Sequence, residues 1–418
     1  MIALEQQIRK HLRSNVIVGL IDGSFFGLAL GFGSFSTILP LFVSNLTTSA
    51  TLIGLVPAIH AVGWQLPQLF TAGRLARLRR FKPTVMLMTI HERLAFVGLA
   101  IVAFLIPYIG ATTALIITFL LLAWQGLGAG FTANAWQSMI AKIIPPDLRG
   151  TFFGGQAAAA NVLMSLGAIG VGYVLEIGGF PYGFALSFLL TSIFMACSWI
   201  FLNRTQEPES PEAIDQSHPA TTMRGTWAIL RRDKNFFWFL VTRVLALLAT
   251  MGFSFYILYA LRRFNMDVVT AGFLTATLTI SQTVANLGMG WLGDRFGHRP
   301  MLIVGALAIT FSSLLAWGAP SLDWFYLIFI LEGLANVAIW TIGMAITVEF
   351  GAEVERPTYI GLSNTLVAPF GIIAPLLGGW LVDTVGYQVM FMMAALIGLS
   401  TAVVLTFLVK NPRASMQE

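Results

Sequence analysis

The chain has 418 residues, 57% of them hydrophobic and 10% charged, with a formal net charge of +5 and a mean hydropathy of +0.80. Charges this sparse cannot clothe a water-soluble body of that length, which implies an integral membrane protein. The single cysteine, Cys197, excludes an intramolecular disulfide and a cysteine-built metal cage, and five scattered histidines make no metal site, so no metal or other cofactor is expected.

A hydrocarbon core of roughly 30 Å takes about 20 helical residues. Apolar runs of that length recur twelve times, at residues 15–43, 50–72, 84–107, 112–142, 151–176, 181–203, 236–261, 268–291, 301–319, 323–349, 358–383 and 386–409. Span 1 is too long and too rich in glycine and polar residues for a cleaved signal, so it is expected to stay in the mature protein. It carries Asp22 together with Phe25, Phe32 and Phe35. His60 in span 2 reads as a hydrogen-bonded packing residue. Span 3 holds His91, Glu92 and Arg93; neighbouring helical residues point about 100° apart, so Glu92 and Arg93 are expected on different faces, snorkelling or packing against span 2. Span 4 brings Trp124, Gln125, Phe131, Asn134 and Trp136, and Cys197 in span 6 reads as a small apolar filler.

Composition shifts between spans 6 and 7. An acidic front (Glu207, Pro208, Glu209, Pro211, Glu212) is expected to be flexible, and a basic rear from Met223 to Lys234, around Trp227, to lie as an amphipathic helix at the membrane interface. The chain therefore divides into 1–203, a loop at 204–235, and 236–418. Arg243 follows in span 7 with Phe253, Phe255, Tyr256 and Tyr259, and Glu332 in span 10 with Trp340.

All but four of the 24 lysines and arginines fall at the N-terminus, in the even-numbered loops or at the C-terminus, the exceptions being Arg93, Arg243, Arg262 and Arg263. Positive residues near span ends stay on the cytoplasmic side, so both termini are expected there. The same placement, beside apolar spans and not on one soluble face, excludes nucleic acid as a partner.

The two halves repeat. At a constant offset, Gln125-Gly126-Leu127 meets Glu332-Gly333-Leu334, Arg149 meets Arg356, Thr151 meets Thr358, Gly154 meets Gly361, Gly172 meets Gly379 and Phe184 meets Phe391. The loop after span 8 reads Gly290-Trp291-Leu292-Gly293-Asp294-Arg295-Phe296-Gly297-His298-Arg299-Pro300. It resembles the signature loop of the major facilitator superfamily, G-x-L-a-D-r-x-G-r-k. The first-half counterpart, Gly73 to Pro83, departs from the pattern, with Arg77 at the aspartate position and Arg80 at the second glycine. Independently of the family, a carboxylate among several arginines makes a network that can form in one conformation and break in another. Gly290, Asp294, Arg295, Gly297 and Arg299 are the expected gate, with Gly73, Arg77 and the repeat mates Arg149 and Arg356 counted beside them. For the first-half copy a plain positive loop is an equal reading.

The resemblance implies an all-α membrane protein with twelve transmembrane helices in two pseudo-symmetric six-helix bundles, which rock about a central site lined by spans 1, 4, 7 and 10. Asp22, Arg243 and Glu332 would all lie on those spans. Burying a charge in hydrocarbon costs about 2.5 to 3.5 kcal/mol on insertion scales, so such residues are functional candidates. Aligning Gly33-Ser34-Phe35 with Phe253-Ser254-Phe255 sets Arg243 one position from the counterpart of Asp22. The two would face each other across the pseudo-twofold axis, or each be satisfied within its own half. Glu332 meets Gln125, its uncharged isostere, so the halves differ by one titratable proton at a shared position. A potential of roughly 100 mV supplies about 2.3 kcal/mol per proton, near fifty-fold in accumulation.

Gln125, Asn134 and Trp124, with the aromatics of the same spans, would suit an amphipathic or partly aromatic solute better than a heavily hydroxylated sugar. Antiporters of the family often carry G-P-x-x-G-G in the fifth span; here it reads Gly167-Ala168-Ile169-Gly170-Val171-Gly172, so direction stays open. No G-x-x-x-x-G-K-[ST] loop suggests ATP drive, and no loop places a nucleophile beside a base, so an enzyme is not expected. The reading is a secondary transporter of a small organic solute with protons as the coupled ion, a monomer in a cell membrane, inner or plasma. A gradient-independent facilitator and a non-transporting sensor on the same scaffold are the alternatives.

Overall fold

The computed structural model describes residues 2–35, 37–47, 50–210, 223–264 and 268–412. Among the described residues there are helices and connecting turns and no strands. Ten helical segments among the described residues are long and apolar enough to cross a membrane. Their outer faces carry large apolar side chains in the open, such as Phe104 (54% exposed), Leu120 (65%), Ile177 (87%) and Phe407 (78%). A water-soluble protein would bury these, whereas lipid solvates them.

Span 1 divides into α1 (Ile2–Phe32) and α2 (Ile38–Ser44), and span 2 into α3 (Ala50–Gln65) and α4 (Pro67–Leu75). Pro67 has no N–H to continue α3 and suits the first turn of a new helix. Spans 3 to 6 follow as α5 (Lys82–Ile109), α6 (Ala111–Ile143), α7 (Arg149–Gly178) and α8 (Tyr182–Leu202). The basic rear of the central loop forms α9 (Met223–Arg232).

Asp233 then caps α10 (Lys234–Ala249), its side chain accepting the Phe236 N–H at 2.9 Å. Span 7 does not continue as one helix. A 3-10 stretch, Thr250–Phe255, separates α10 from α11 (Tyr256–Phe264). The interruptions of spans 1 and 7 fall at the stretches that the repeat aligns, Gly33-Ser34-Phe35 and Phe253-Ser254-Phe255. Backbone that leaves helical pairing at membrane depth must find protein or a water-filled cavity.

Span 8 is α12 (Val268–Phe296), diluted by Ser281, Gln282, Thr283 and Asn286. Neither it nor α3 with α4 is among the ten segments above. Gly297, at φ 90°, turns the chain into α13 (His298–Gly318). Span 10 comprises α14 (Trp324–Val337), a π-helical turn over Ala338–Ile342, and α15 (Gly343–Thr347). Two long helices, α16 (Arg356–Val385) and α17 (Tyr387–Phe407), complete the chain.

By contacts the chain forms two compact units: Met1–Pro145 with Ala159–Thr221 and Glu353–Thr365, and Pro146–Ala158 with Thr222–Ala352 and Leu366–Glu418. The first turns of α7 thus pack in unit 2, and those of α16 in unit 1. Unit 1 has a core of Phe32, Leu39, Phe42, Phe96, Leu122 and Phe188, with Phe42 and Phe188 edge to face at 5.2 Å. In unit 2, Tyr256, Tyr259, Phe325, Phe329 and Phe391 play that part, Tyr256 stacking on Phe391 at 5.5 Å.

The acidic front of the central loop departs from the flexible segment expected. Asn15 and Gln206 exchange bonds of 2.9 and 2.8 Å. Glu207 accepts the backbone N–H groups of Phe81 and Lys82 at 2.8 and 2.7 Å and pairs with the Lys142 ammonium at 3.1 Å. One carboxylate therefore caps α5 and neutralises the buried Lys142 of α6, which is why residues 203–210 lie ordered on unit 1. The remainder of the expected flexible stretch, 211–222, lies outside the described residues.

Candidate functional site

Gln125 of α6 is fully buried, and its Oε1 lies 3.0 Å from Nδ1 of His60 on α3. Gly63 and Gly126 let the two helices touch backbone to backbone there, since a methyl group on Gly63 would lie 2.7 Å from the Gly126 Cα. The broken stretch after α1 delivers Phe35 onto the other face of His60, with ring centroids 3.7 Å apart and planes 10° from parallel. Nε2 of Gln125 has no hydrogen-bond partner among the described residues.

Its repeat mate Glu332 on α14 is buried in unit 2, and among the described residues its Oε2 is also without a hydrogen bond. The Tyr256 hydroxyl lies within electrostatic range of this carboxylate and is itself shared with Ser312 and Ser313 at 3.0 and 3.1 Å. The first half thus presents an amide held by a histidine, and the second a carboxyl group without such a clamp.

Asp22 is satisfied inside its own unit. Its Oδ1 accepts the Ser198 hydroxyl of α8 at 2.6 Å, and Ser198 accepts Arg93 Nη2 at 2.8 Å. Arg93 also donates to the Met195 carbonyl at 2.9 Å and to Thr89. This corrects the expectation for span 3: Glu92 and Arg93 neither snorkel nor diverge, for both are buried and Arg93 Nη1 lies 3.9 Å from Glu92 Oε2. Helical spacing governs Cβ directions, but a long guanidinium stem follows its acceptors, and α8 supplies them. Arg243 on α10 sits inside unit 2 beside a cavity of about 30 Å³ lined by Phe239, Thr242, Leu302, Ala338 and Gly343.

Asn134 and Trp124 were expected to line a solute-binding wall. The structure uses Asn134 differently. Fully buried, it donates from Nδ2 to the carbonyls of Gln68 and Pro357, both at 2.9 Å. It holds the first turn of α16 against α4. Trp124 is 39% exposed, and its Nε1–H donates to Nδ1 of His91 at 3.3 Å.

The signature loop packs on the start of α7, with partners other than those expected. Asp294 accepts the backbone N–H groups of Gly150 and Thr151 at 2.8 and 2.5 Å, so its carboxylate caps α7. His298 Nε2 stands 3.6 Å from the same carboxylate, and His298 Nδ1 bonds Glu349 at 2.7 Å. Arg295 and Arg299 point elsewhere. Arg295 lies over the rings of Trp291 and Phe296, and Arg299 reaches the Leu405 carbonyl at 2.8 Å. Arg295 stays on α12 beside its own aromatic neighbours and Arg299 lies past the Gly297 turn on α13, so the expected arginine–carboxylate network gives way to a capped helix end. Arg149 donates to the Val348 carbonyl at 3.4 Å, and Arg356 is half-buried within electrostatic range of Glu353.

Gly290 and Gly154 set how closely α7 and α12 approach here. A methyl group on Gly154 would lie 2.0 Å from the Asn286 carbonyl oxygen.

In the first-half copy, Arg77 is exposed and Gly73 half-buried, and no carboxylate stands at the aspartate position. An amide clamp holds the equivalent helix end instead. Gly361 presses on Gln68 and Leu69, where a methyl group would lie 2.9 Å from the Gln68 carbonyl oxygen. Asn364 Nδ2 donates to Gln68 Oε1 at 2.6 Å, and Thr365 accepts the Leu69 N–H at 3.1 Å. Sequence reasoning missed Gln68, Asn364, Thr365, His298 and Ser198. The one signal available was the Gly154–Gly361 repeat pair, which marks where helix ends approach.

A family model described as the Major Facilitator Superfamily matches residues 21–261 and 257–418. The multidrug resistance protein B homolog of Mycobacterium tuberculosis is 28% identical over 149 residues, covering 35% of this chain and 26% of that protein. The cis,cis-muconate transport protein of Acinetobacter baylyi is 28% identical over 157 residues, 37% of each. The chain thus covers only 26% to 37% of these curated relatives' length. Among solved structures, the E. coli fucose:proton symporter FucP superposes with a TM-score of 0.74 over 94% of this chain and 99% of that one, at 14% identity, a likeness that speaks to the fold alone.

Proposed function

This chain belongs to the major facilitator superfamily, and we propose that it is a secondary active transporter that moves a small organic solute by alternating access, coupled to a proton at Glu332. The observation that carries the reading is the unequal pair at one repeat position. Gln125 is clamped by His60, whereas the buried Glu332 leaves Oε2 without a hydrogen bond among the described residues. A carboxyl group so placed gains or loses a proton when its surroundings change, and that is what a coupling site needs. The capped α7 and the amide-clamped α16 would be the contacts that close one side of the pathway and part when it opens. Both termini would face the cytoplasm, from the distribution of basic residues, with the protein in a cell membrane. Of the aromatic side chains expected along the pathway, the exposed Trp124 and Phe131 of α6 and Trp340 of the π-helical turn favour an amphipathic or partly aromatic cargo.

The test is uptake by proteoliposomes from a panel of radiolabelled aromatic acids, sugars and amphipathic cations, with and without an imposed pH gradient. Gradient-driven accumulation is expected in the wild type. Glu332→Gln should lose it while keeping solute exchange. Accumulation that survives the substitution removes Glu332 as the coupling group, flux indifferent to the gradient removes the proton, and no flux of any solute removes transport.

A further inference from the structure

Unit 1 buries three ionisable groups that the proposed transport cycle does not use. Asp22 on α1 and Glu92 on α5 are 6% and 7% exposed, and the Arg93 side chain is 11% exposed. Two carboxyl groups share one guanidinium.

Among the described residues no other charge closes this balance. On α5, His91 Nδ1 accepts the Trp124 indole N–H at 3.3 Å. α6 carries one ionisable side chain, Lys142 at its far end, and it is paired with Glu207. Beside Glu92, α6 presents Gly128, with no side chain at all. α8 contributes Ser198 and the Met195 carbonyl and has no acid, lysine, arginine or histidine along its length. On α1 the nearest other charge is Arg13, nine residues and about 13 Å of helix away. With both carboxyls ionised the cluster would hold a net negative charge in a membrane-embedded interior, a state that costs far more than neutralising one of them.

The hydrogen bonds say which carboxyl is the better anion. Arg93 donates a hydrogen bond to Ser198, and the Ser198 hydroxyl donates one to Asp22 at 2.6 Å, so Asp22 receives the polarised end of a donor chain. Among the described residues no hydrogen bond reaches the Glu92 carboxyl, whose nearest cation is 3.9 Å away.

We infer that the Asp22–Glu92–Arg93 cluster is a proton-binding site on the first half of the protein, with Asp22 and Arg93 charged and one proton held on Glu92. This does not rest on the transport reading, since it concerns a resident proton and not its passage.

Infrared difference spectra of the full chain in detergent micelles at neutral pH test it, because the carboxylic-acid C=O band reads protonated carboxyls directly. Charge balance makes an unusual set of expectations. Glu92→Gln should remove one carboxylic-acid equivalent. Asp22→Asn should also remove one, although it deletes the other acid, because Glu92 then ionises beside Arg93. Arg93→Gln should add one. A band unchanged in either Glu92→Gln or Asp22→Asn overturns the inference. Should Arg93→Gln fail to fold, those two near-isosteric variants decide the matter, and so does wild-type protein with carboxyl-13C glutamate, in which the band that Glu92→Gln removes must shift.

Discussion

Gly150 and Gly290 touch through bare backbone: a methyl group on Gly290 would lie 2.4 Å from the Gly150 carbonyl oxygen, and one on Gly150 would lie 2.6 Å from that of Gly290. The contact is reciprocal, so neither glycine has room to retreat. Four residues on, Gly154 repeats it against Asn286.

Gly290→Ala should therefore push α7 away from α12 and cost about 1 to 3 kcal/mol, as overpacking does. Gly288, two residues earlier, has open space where its side chain would be. Thermal unfolding in detergent micelles should show a lowered midpoint for Gly290→Ala and an unchanged or slightly raised one for Gly288→Ala. Equal effects of the two would mean that the latch contact is not what sets the response.

Asp294→Asn keeps the shape of the cap but leaves one oxygen and no charge for the two N–H groups at the start of α7. A loss of about 0.5 to 2 kcal/mol is expected. If the cap closes one side of the pathway, single-cysteine labelling at Thr151 in a Cys197→Ser background should quicken in this variant. Labelling at wild-type rate would mean that the cap does not control access.

Gln125 can be probed by separating shape from hydrogen bonding. Gln125→Leu leaves His60 Nδ1 without its acceptor in a buried site and should cost about 1 to 3 kcal/mol. Gln125→Glu keeps an acceptor at the same place and should unfold close to the wild-type temperature. If the leucine variant is as stable as the glutamate variant, the His60 bond contributes nothing and Phe35 stacking alone holds the ring.

The Glu207–Lys142 pair is almost fully buried, with side-chain exposures of 1% and 2%. Glu207→Ala strands the ammonium and uncaps α5, so about 3 to 5 kcal/mol should be lost. Glu207→Gln, which retains an acceptor for the Phe81 and Lys82 amides, should fall between that variant and the wild type. Proteolysis within 203–210 should accelerate in the same order, and an absence of that order would mean that the segment is held by Asn15 and Gln206 alone.

Much of the architecture was legible beforehand for a local reason. Whether a stretch can sit in hydrocarbon is nearly a sum over its own residues, which is why Lys82–Ile109 and Tyr182–Leu202 stood out without knowledge of their neighbours. The repeat was legible because each half kept glycines where helices touch, as at Gly154 and Gly361. The helix breaks near Phe35 and Phe253 were not. Pro40, in the first turn of α2, was the one local mark of either break, and residues 15–43 and 236–261 read as single apolar runs.

Hydropathy, repetition and one loop motif by themselves determined a polytopic helical protein of two related halves, with Asp294 in the signature loop and a charge difference between Gln125 and Glu332. Only the tertiary structure decided who meets whom: that Asn134 clamps α16, that Asp294 caps α7 and leaves its neighbouring arginines to other partners, and that Arg93 reaches Ser198 beside Asp22. Lipid solubility is additive along a chain, whereas a hydrogen bond needs a donor and an acceptor that residues far apart in sequence bring together, and no single helix carries that information.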